Sequence, residues 1–222
     1  MTETAMPTKR RGRPRAHSTA LAADHDKTRQ LICGAAFDLY QAGGLPAVSI
    51  RDVAKRLGVS PMMPYRYFPS KDHIMQEMRV VAFRQFTASL RRARLKAKRP
   101  EDSLAYVCSA YLIFAASKPH LYRLMFDLWV FDNVSRAKQE FGEGVHWQPE
   151  SWREIEASII SYLRLEHSTE ETSVLTNLVW ISLHGAATLH QARKLVFFQN
   201  LKKLSRPLIN MLLAEVAKHR IK

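Results

Sequence analysis

The histidines and cysteines are the residues of this 222-residue sequence whose types could carry nucleophilic, acid–base or metal chemistry. There are nine histidines and two cysteines, Cys33 and Cys108. No Ser/His/Asp, Cys/His or paired-carboxylate arrangement has the local context that such chemistry requires, and the cysteines lack metal-ligand spacing. Each cysteine lies in an apolar helical pattern, which predicts a reduced core residue. We therefore expect no enzyme activity, no metal and no cofactor.

The basic residues form a second distinctive set, and they are concentrated in the first half of the chain. The formal net charge is +14; residues 1–100 hold 20 Lys and Arg against 7 Asp and Glu, whereas residues 101–222 hold 14 against 13. Basicity confined to one end is typical of a surface that meets a polyanion. The distribution predicts that the N-terminal part contacts nucleic acid or an anionic surface.

Composition and hydropathy favour an ordinary globular protein. Hydrophobic residues make up 46% of the chain and charged residues 24%, which does not indicate wholesale disorder. No stretch approaches the roughly 18 apolar residues of a membrane span, and the basic N-terminus is not followed by the apolar segment of a signal peptide. We expect a cytoplasmic protein that does not contact a membrane.

Apolar periodicity predicts helices after residue 23, and no strand alternation stands out. A first helix runs from about Asp24 to Gly43, a second is capped by Ser49, and a third, over residues 61–68, is capped by Ser60. Later helices are expected at 71–98, 100–117, 149–165, from a Ser168 cap to about 193, and at 205–220, with a short apolar piece at 120–131 and a loop at 132–148. We thus predict an all-α fold, with a disordered basic arm at 1–23, a three-helix domain at 24–72 and a helical bundle at 73–222.

Residues 49–72, SIRDVAKRLGVSPMMPYRYFPSKD, combine a Ser-capped helix, Gly58-Val59-Ser60, a tyrosine five residues after that serine, Tyr67-Phe68 and Ser70-Lys71-Asp72. Two short helices joined by a tight turn form a helix-turn-helix. The pattern closely resembles the DNA-binding domain of the TetR family. The resemblance implies binding to double-stranded DNA as a homodimer whose two recognition helices enter successive major grooves.

The same resemblance assigns DNA contacts within this domain. It places Tyr65 near the DNA backbone and implies phosphate contacts for Tyr67 and Lys71, although both tyrosines could simply pack the three-helix core. Pro64 departs from the family pattern, and because it lacks an N–H we expect the recognition helix to begin distorted or late. Base reading then rests on thymine-methyl contacts with polar supplements from arginines. The candidate set of the domain is Ser49, Arg51, Ser60, Pro61, Met62, Met63, Tyr65, Arg66, Tyr67 and Lys71.

The basic arm supplies a further candidate contact. Arg11-Gly12-Arg13-Pro14 is similar to the core of an AT-hook, and Arg15 follows it directly. A glycine between two arginines lets the backbone approach the floor of a narrow minor groove in A·T-rich DNA. The alternative is a solvated basic tail that binds phosphates without sequence preference.

A second resemblance lies near the C-terminus, where Trp180-Ile-Ser-Leu-His184-Gly185 is similar to the Trp-His-Gly type of TetR regulatory domain. His184 is either a satisfied interior histidine or a polar anchor for a ligand. The large aromatic residues of this half are core residues by default, and some of them line a pocket if the domain senses a ligand. The candidate ligand set is Tyr111, Phe114, Tyr122, Phe126, Trp129, Trp180 and His184.

Together these features favour a ligand-responsive repressor that binds a palindromic operator as a dimer and responds to a small apolar or aromatic effector. The last two long helices of each subunit are expected to form the dimer interface. Two alternatives stay open. One is a constitutive or architectural DNA-binding dimer without a sensor function, and the other is an all-helical enzyme with an incidental basic terminus.

Overall fold

The structure is a computed structural model, and it describes residues 15–126, 149–195 and 200–219. Across these ranges the chain forms eight α-helices and no strand, which confirms the predicted all-α class. In chain order the helices are α1 (Arg15–Gly43), α2 (Ile50–Leu57), α3 (Lys71–Lys96), α4 (Pro100–Ser117), α5 (Pro119–Phe126), α6 (Pro149–Leu163), α7 (Glu170–Gln191) and α8 (Leu201–Ala217). None of these helices is long and apolar enough to cross a membrane.

The chain divides into two compact units, one that ends at Ile74 and one that begins at Met75. This division falls two residues after the domain boundary expected from the sequence. In the N-terminal unit, α1 packs on α2 through fully buried side chains that include Ile32, Ala36 and Val53. Phe68, at the end of the predicted third helix, joins the same core.

α1 begins at Arg15, nine residues before the start predicted at Asp24, and it therefore takes in the last part of the predicted arm. Four of the eight residues from 16 to 23 are alanine, the strongest helix former, and none is glycine or proline. Local propensity thus extends the helix beyond its apolar stripe. Residues 1–14, with Arg11, Gly12 and Arg13 of the AT-hook-like motif, lie outside the described residues, as does the side chain of Arg15.

Residues 61–68 do not form the α-helix that was predicted there, so this prediction was wrong about the type of helix. Residues Pro64–Arg66 form a 3₁₀ turn, preceded by a hydrogen-bonded turn in which the Met63 N–H donates to the Ser60 carbonyl at 2.9 Å. The Arg66 and Tyr67 N–H groups also donate three residues back, at 3.1 and 3.0 Å. Pro64 has no N–H for a four-residue bond to Ser60, so the tighter three-residue pattern satisfies the backbone instead.

In the C-terminal unit α4 is the central element and packs against α5, α6, α7 and α8. Its buried face includes Leu104, Val107 and Leu112. Glu154 on α6 is a nearly buried carboxylate, and it accepts hydrogen bonds from Arg91 at 2.6 Å and Arg94 at 2.8 Å on α3. This pair of charge-assisted bonds ties the basic end of α3 to α6.

Two predicted helix starts in this unit needed correction. Thr169 rather than Ser168 caps α7, because Thr169 and Thr172 form a reciprocal capping box, and the Ser168 hydroxyl donates instead to Glu156 at 2.6 Å. The last helix begins at Leu201, capped by Asn200, four residues before the predicted start at 205, and it continues through Pro207. Pro207 is exposed, so its ring faces solvent, and the helix loses only one N–H bond there.

Candidate functional site

The turn of the helix-turn-helix is held by caps at both ends of α2. The Ser49 hydroxyl accepts the Asp52 N–H at 3.0 Å, and Gly58 ends the helix in the left-handed conformation with φ of 67°. The Val59 N–H then donates to the Ala54 carbonyl at 3.0 Å, which closes the turn. The Ser49 hydroxyl is thus already used in capping, whereas Arg51, one residue later, is exposed.

The recognition segment, residues 60–66, presents most of its predicted DNA-contacting side chains to the outside. Pro61, Met62, Tyr65 and Arg66 are exposed and Met63 is half-buried. A surface depression of about 450 Å³ is lined by Ser60, Met62, Met63, Tyr65 and Arg66. Pro64 is buried, so the residue that distorts the segment also anchors it to the core.

Tyr67 and Lys71 both have partners inside the N-terminal unit. The Tyr67 ring lies 4.9 Å from the His25 ring on α1, and Tyr67 is half-buried. The Lys71 ammonium donates to the Leu45 carbonyl at 2.9 Å. That carbonyl supplies the electronegative partner that a lysine at a helix N-terminus requires. Each side chain therefore has a structural contact besides the phosphate contact predicted for it.

Arg29 on α1 contacts the two residues that directly follow the recognition segment, and it was not among the residues predicted from the sequence. Its guanidinium donates to the Tyr67 carbonyl at 2.8 Å and lies 4.1 Å above the centre of the Phe68 ring. These are a charge-assisted hydrogen bond and a cation–π contact. The signal was present in the helical spacing, since residues 29, 32, 36 and 40 lie on one face of α1. A cation on that apolar face points to a partner in the core.

The C-terminal unit brings five members of the predicted ligand set into one aromatic cluster from α4, α5 and α7. The Tyr122 hydroxyl lies 2.7 Å from His184 Nδ1 and 3.0 Å from the Tyr111 hydroxyl, and Tyr111 lies 3.5 Å from the same imidazole nitrogen. The Trp180 ring lies 6.3 Å from the His184 ring between ring centres. The Phe126 ring packs edge to face on the imidazole, with 4.6 Å between ring centres.

The side chains of this cluster differ in burial, and burial determines the protonation state of each. Tyr111 and Tyr122 are buried, and burial raises the pKa of both phenols well above the usual value. His184 is half-buried, and burial lowers the pKa of its imidazole. All three groups are therefore neutral near neutral pH. His184 Nδ1 is satisfied as an interior histidine would be, whereas Nε2 lies 3.4 Å from the exposed Thr188 hydroxyl.

Phe114 and Trp129 complete the predicted ligand set. Phe114 is buried and packs on Phe86 of α3, with 5.1 Å between ring centres, so it joins the cluster through that ring. Phe86 also packs edge to face on Tyr111 at 5.0 Å. Phe86 was not among the predicted ligand residues, and only its contacts place it beside the polar groups. Trp129 lies outside the described residues.

Comparison with known proteins finds two matching family models. The model described as bacterial regulatory proteins of the tetR family matches residues 32–78, and the tetracycline-repressor-like C-terminal domain matches residues 104–212. The HTH-type transcriptional repressor KstR of Mycolicibacterium smegmatis is 31% identical over 109 residues, which are 49% of this chain and 53% of KstR. The chain thus aligns with about half the length of that relative.

Two solved structures share the fold. FadR from Bacillus subtilis, in complex with stearoyl-CoA, is 15% identical and has a TM-score of 0.64, covering 83% of this chain and 97% of FadR. The TetR family regulator PfmR from Thermus thermophilus is 17% identical and has a TM-score of 0.59, covering 82% and 97% of the two chains. The two family models account for both the helix-turn-helix and the helical unit behind it, and the chain belongs to the TetR family of bacterial transcriptional regulators.

Proposed function

We propose that this protein is a ligand-responsive repressor that binds a palindromic operator as a homodimer. The observation that carries the proposal is the exposed recognition segment, residues 60–66, on a helix-turn-helix in the basic half of the chain. An exposed segment of this kind can enter the major groove, while the surrounding lysines and arginines meet phosphates. The relationship to the repressor KstR supports the direction of regulation.

Within the N-terminal unit we assign base reading and phosphate binding to different side chains. Met62 and Met63 contact thymine methyl groups, with Arg51 and Arg66 as hydrogen-bond donors to base edges. Tyr65, Tyr67 and Lys71 contact the phosphate backbone of the DNA. Arg66→Ala should therefore change the preferred operator sequence, whereas Lys71→Ala should weaken binding to all duplexes by a similar factor. Since Lys71 also holds Leu45, the unfolding stability of Lys71→Ala is measured alongside its DNA affinity.

The proposed dimer interface consists of α7 and α8. Val174, Leu178, Ile181 and Leu189 are exposed apolar residues at helical spacing on α7, and α8 adds exposed Met211. Apolar side chains that recur every three to four residues on one face form helix–helix seams. The two helices pack on each other, so a second copy could cover both in one four-helix contact.

A matched pair of substitutions tests this interface. Ile181 on α7 and Ile113 on α4 are 64% and 65% exposed. Ile181→Asp should convert the full-length protein to a monomer in sedimentation experiments, because it places a charge in the seam. Ile113→Asp should leave the dimer intact. Dimers in both variants would show that α7 does not form the interface.

Selection of binding sites from random duplex DNA tests the operator. The wild-type protein should select a palindrome whose half-site centres are about 34–36 Å apart, or about ten base pairs. The Ile181→Asp variant should select a single half-site. A wild-type preference without two-fold symmetry would contradict binding as a symmetric dimer.

We assign the sensor role to the aromatic cluster of the C-terminal unit, with an apolar or aromatic small molecule as effector. A ligand in the structurally similar FadR supports this assignment. An effector that prefers the state unable to bind the operator shifts the population toward it and releases DNA. It should also raise the melting temperature, since it stabilises the folded state by mass action. Molecules that raise the melting temperature and leave operator binding unchanged would favour the constitutive dimer instead.

A further inference from the structure

The hydrogen bonds in the aromatic cluster join two phenols and one imidazole nitrogen. The Tyr111 hydroxyl lies 3.0 Å from the Tyr122 hydroxyl, and the Tyr122 hydroxyl lies 2.7 Å from His184 Nδ1. Tyr111 also lies 3.5 Å from Nδ1, which is at the limit of a hydrogen bond. A phenol can both donate and accept, whereas one nitrogen of a neutral imidazole does only one of the two.

Counting hydrogens then determines the state of His184. The chain contains two short links, and the two phenols supply two hydrogens, one for each link. A hydrogen on Nδ1 would be a third. Nδ1 would then donate to Tyr122 and Tyr122 to Tyr111, and the Tyr111 hydroxyl would have no acceptor among the described residues inside a fully buried site. Such an unpaired buried polar group is costly, so Nδ1 accepts and the neutral imidazole carries its hydrogen on Nε2.

Nε2 consequently presents an N–H donor at the half-exposed edge of the cluster. Its neighbour is the Thr188 hydroxyl at 3.4 Å, which is too long for a strong hydrogen bond. Apolar rings flank the imidazole, with Phe126 at 4.6 Å and Trp180 at 6.3 Å between ring centres. A donor and two ring surfaces thus meet at one place.

We propose that the His184 Nε2–H group is the polar anchor of the effector, and that the effector is an apolar or aromatic molecule bearing a hydrogen-bond-accepting oxygen. This inference rests on the proposed sensor function and narrows its ligand class. An ammonium group in the same position would face a donor and would require the opposite tautomer. The chain of two hydrogen bonds opposes that tautomer, so the cluster discriminates by hydrogen-bond direction.

Two compounds of nearly equal shape probe the anchor, 2-acetonaphthone and 2-isopropenylnaphthalene. They differ in a carbonyl oxygen against a methylene group. Binding to the full-length protein is measured by titration calorimetry, and the histidine nitrogens are followed by NMR after ¹⁵N-histidine labelling. We expect the ketone to bind about tenfold more tightly, the ratio that corresponds to one hydrogen bond of ordinary strength. The ketone should shift the His184 Nε2 signal, and the free protein should show the neutral Nε2–H form.

Two variants locate the effect. His184→Phe keeps an aromatic ring and removes the donor, so the ketone and the alkene should bind equally. Thr188→Val leaves the chain of hydrogen bonds intact and should retain the preference for the ketone. This second variant keeps the test informative if His184→Phe does not fold, because the wild-type and Thr188→Val data stand without it.

Several results would overturn the anchor: equal binding of both probes to the wild-type protein, no binding of either, or a free protein with the hydrogen on Nδ1. Operator release is measured separately, with any molecule that stabilises the protein. An effector that releases the operator and leaves the His184 nitrogen signals unchanged would leave the sensor function standing and remove His184 as its anchor.

Discussion

Arg29 shows how one side chain supports the helix-turn-helix unit through contacts inside that unit. It combines a 2.8 Å bond to the Tyr67 carbonyl with a cation–π contact on Phe68. We predict that Arg29→Met lowers the free energy of unfolding by about 1.5–3 kcal/mol, as expected for a charge-assisted bond to a part-buried acceptor. Arg56→Met is the matched control, because its ion pair with Asp38 is about half exposed and should contribute about 0.5 kcal/mol. Urea unfolding followed by circular dichroism measures both, and equal losses would rule out the role given to Arg29.

His184 makes a second contribution at the residue scale, because it couples stability to pH. Burial lowers the pKa of its imidazole in the folded state, so the unfolded chain binds the proton more readily. Its stabilising contribution is therefore complete above the unfolded pKa of about 6.5 and is lost as the pH falls through that value toward the folded pKa. The neighbouring phenols of Tyr111 and Tyr122 have raised pKa values and stay neutral in this range.

The predicted consequence is a difference in pH dependence between the wild-type protein and His184→Gln. Between about pH 7.5 and pH 5.5 the wild-type protein should lose more unfolding free energy than the variant. The remaining histidines are common to both proteins, so their effects cancel in the comparison. Urea unfolding at a series of pH values supplies the measurement. Parallel curves would mean that His184 titrates alike in the folded and unfolded chains.

At the scale of single elements, the recognition segment is shaped by one proline. Pro64 prevents a regular α-helix after Ser60, and its burial holds the 3₁₀ turn against the core. Met62, Tyr65 and Arg66 are exposed on the turn that results. The spacing of side chains in a 3₁₀ turn differs from that in an α-helix. The exposed side chains of this segment are accordingly spaced differently from those of a regular recognition helix.

The turn between α2 and the recognition segment depends on Gly58, and a pair of glycines tests this. Gly58 has φ of 67°, whereas Gly34 is exposed within α1, and neither would bring a Cβ within 4 Å of another atom. Gly58→Ala should cost about 1–2 kcal/mol, because an L side chain is strained in the left-handed conformation. Gly34→Ala should stabilise the protein by about 0.5–1 kcal/mol, since alanine favours the helix. Chemical unfolding measures both, and effects of the same sign would contradict the assignment.

At the scale of the whole molecule, the feature that matters most for DNA binding is the uneven distribution of charge along the chain. Residues 1–14 hold four of the 34 lysines and arginines, at positions 9, 10, 11 and 13. Deleting them should make the slope of log K against log salt shallower by up to about 3.6 per subunit, at about 0.9 per phosphate contact. Gly12→Ala keeps every charge and should leave the slope unchanged. If the arm enters the minor groove, that variant should also lose the preference for A·T-rich flanks.

Operator fragments with A·T-rich and G·C-rich flanks, titrated at several salt concentrations, separate the two interpretations of the arm. A wild-type protein that binds both fragments equally would mark the arm as an electrostatic anchor on phosphates. A flank preference that persists in Gly12→Ala would also contradict close approach of the backbone to the groove floor.

Local signals in the sequence were sufficient for most helices. Pro100 at a first turn and Lys118-Pro119 at the end predicted a helix over 100–117, and α4 has these bounds. Ser49 was recognised as the cap of α2. Such features depend on groups within four residues of one another, so the sequence alone carries them. Reliance on such local signals also misplaced the start of α8, because the Asn200 cap outweighs the helix-breaking signal of Pro207.

The sequence by itself determined the all-α class, the helix-turn-helix and the membership of Tyr111, Tyr122 and His184 in one candidate set. Only the tertiary structure decided which residues are in contact with each other. Tyr122 and His184 are 62 residues apart in sequence, and Arg29 and Tyr67 are 38 apart. Partners so distant are chosen by how whole helices pack, a sum over many contacts that no local pattern encodes. The hydrogen-bond direction that places a donor on His184 Nε2 exists only after α4, α5 and α7 have come together.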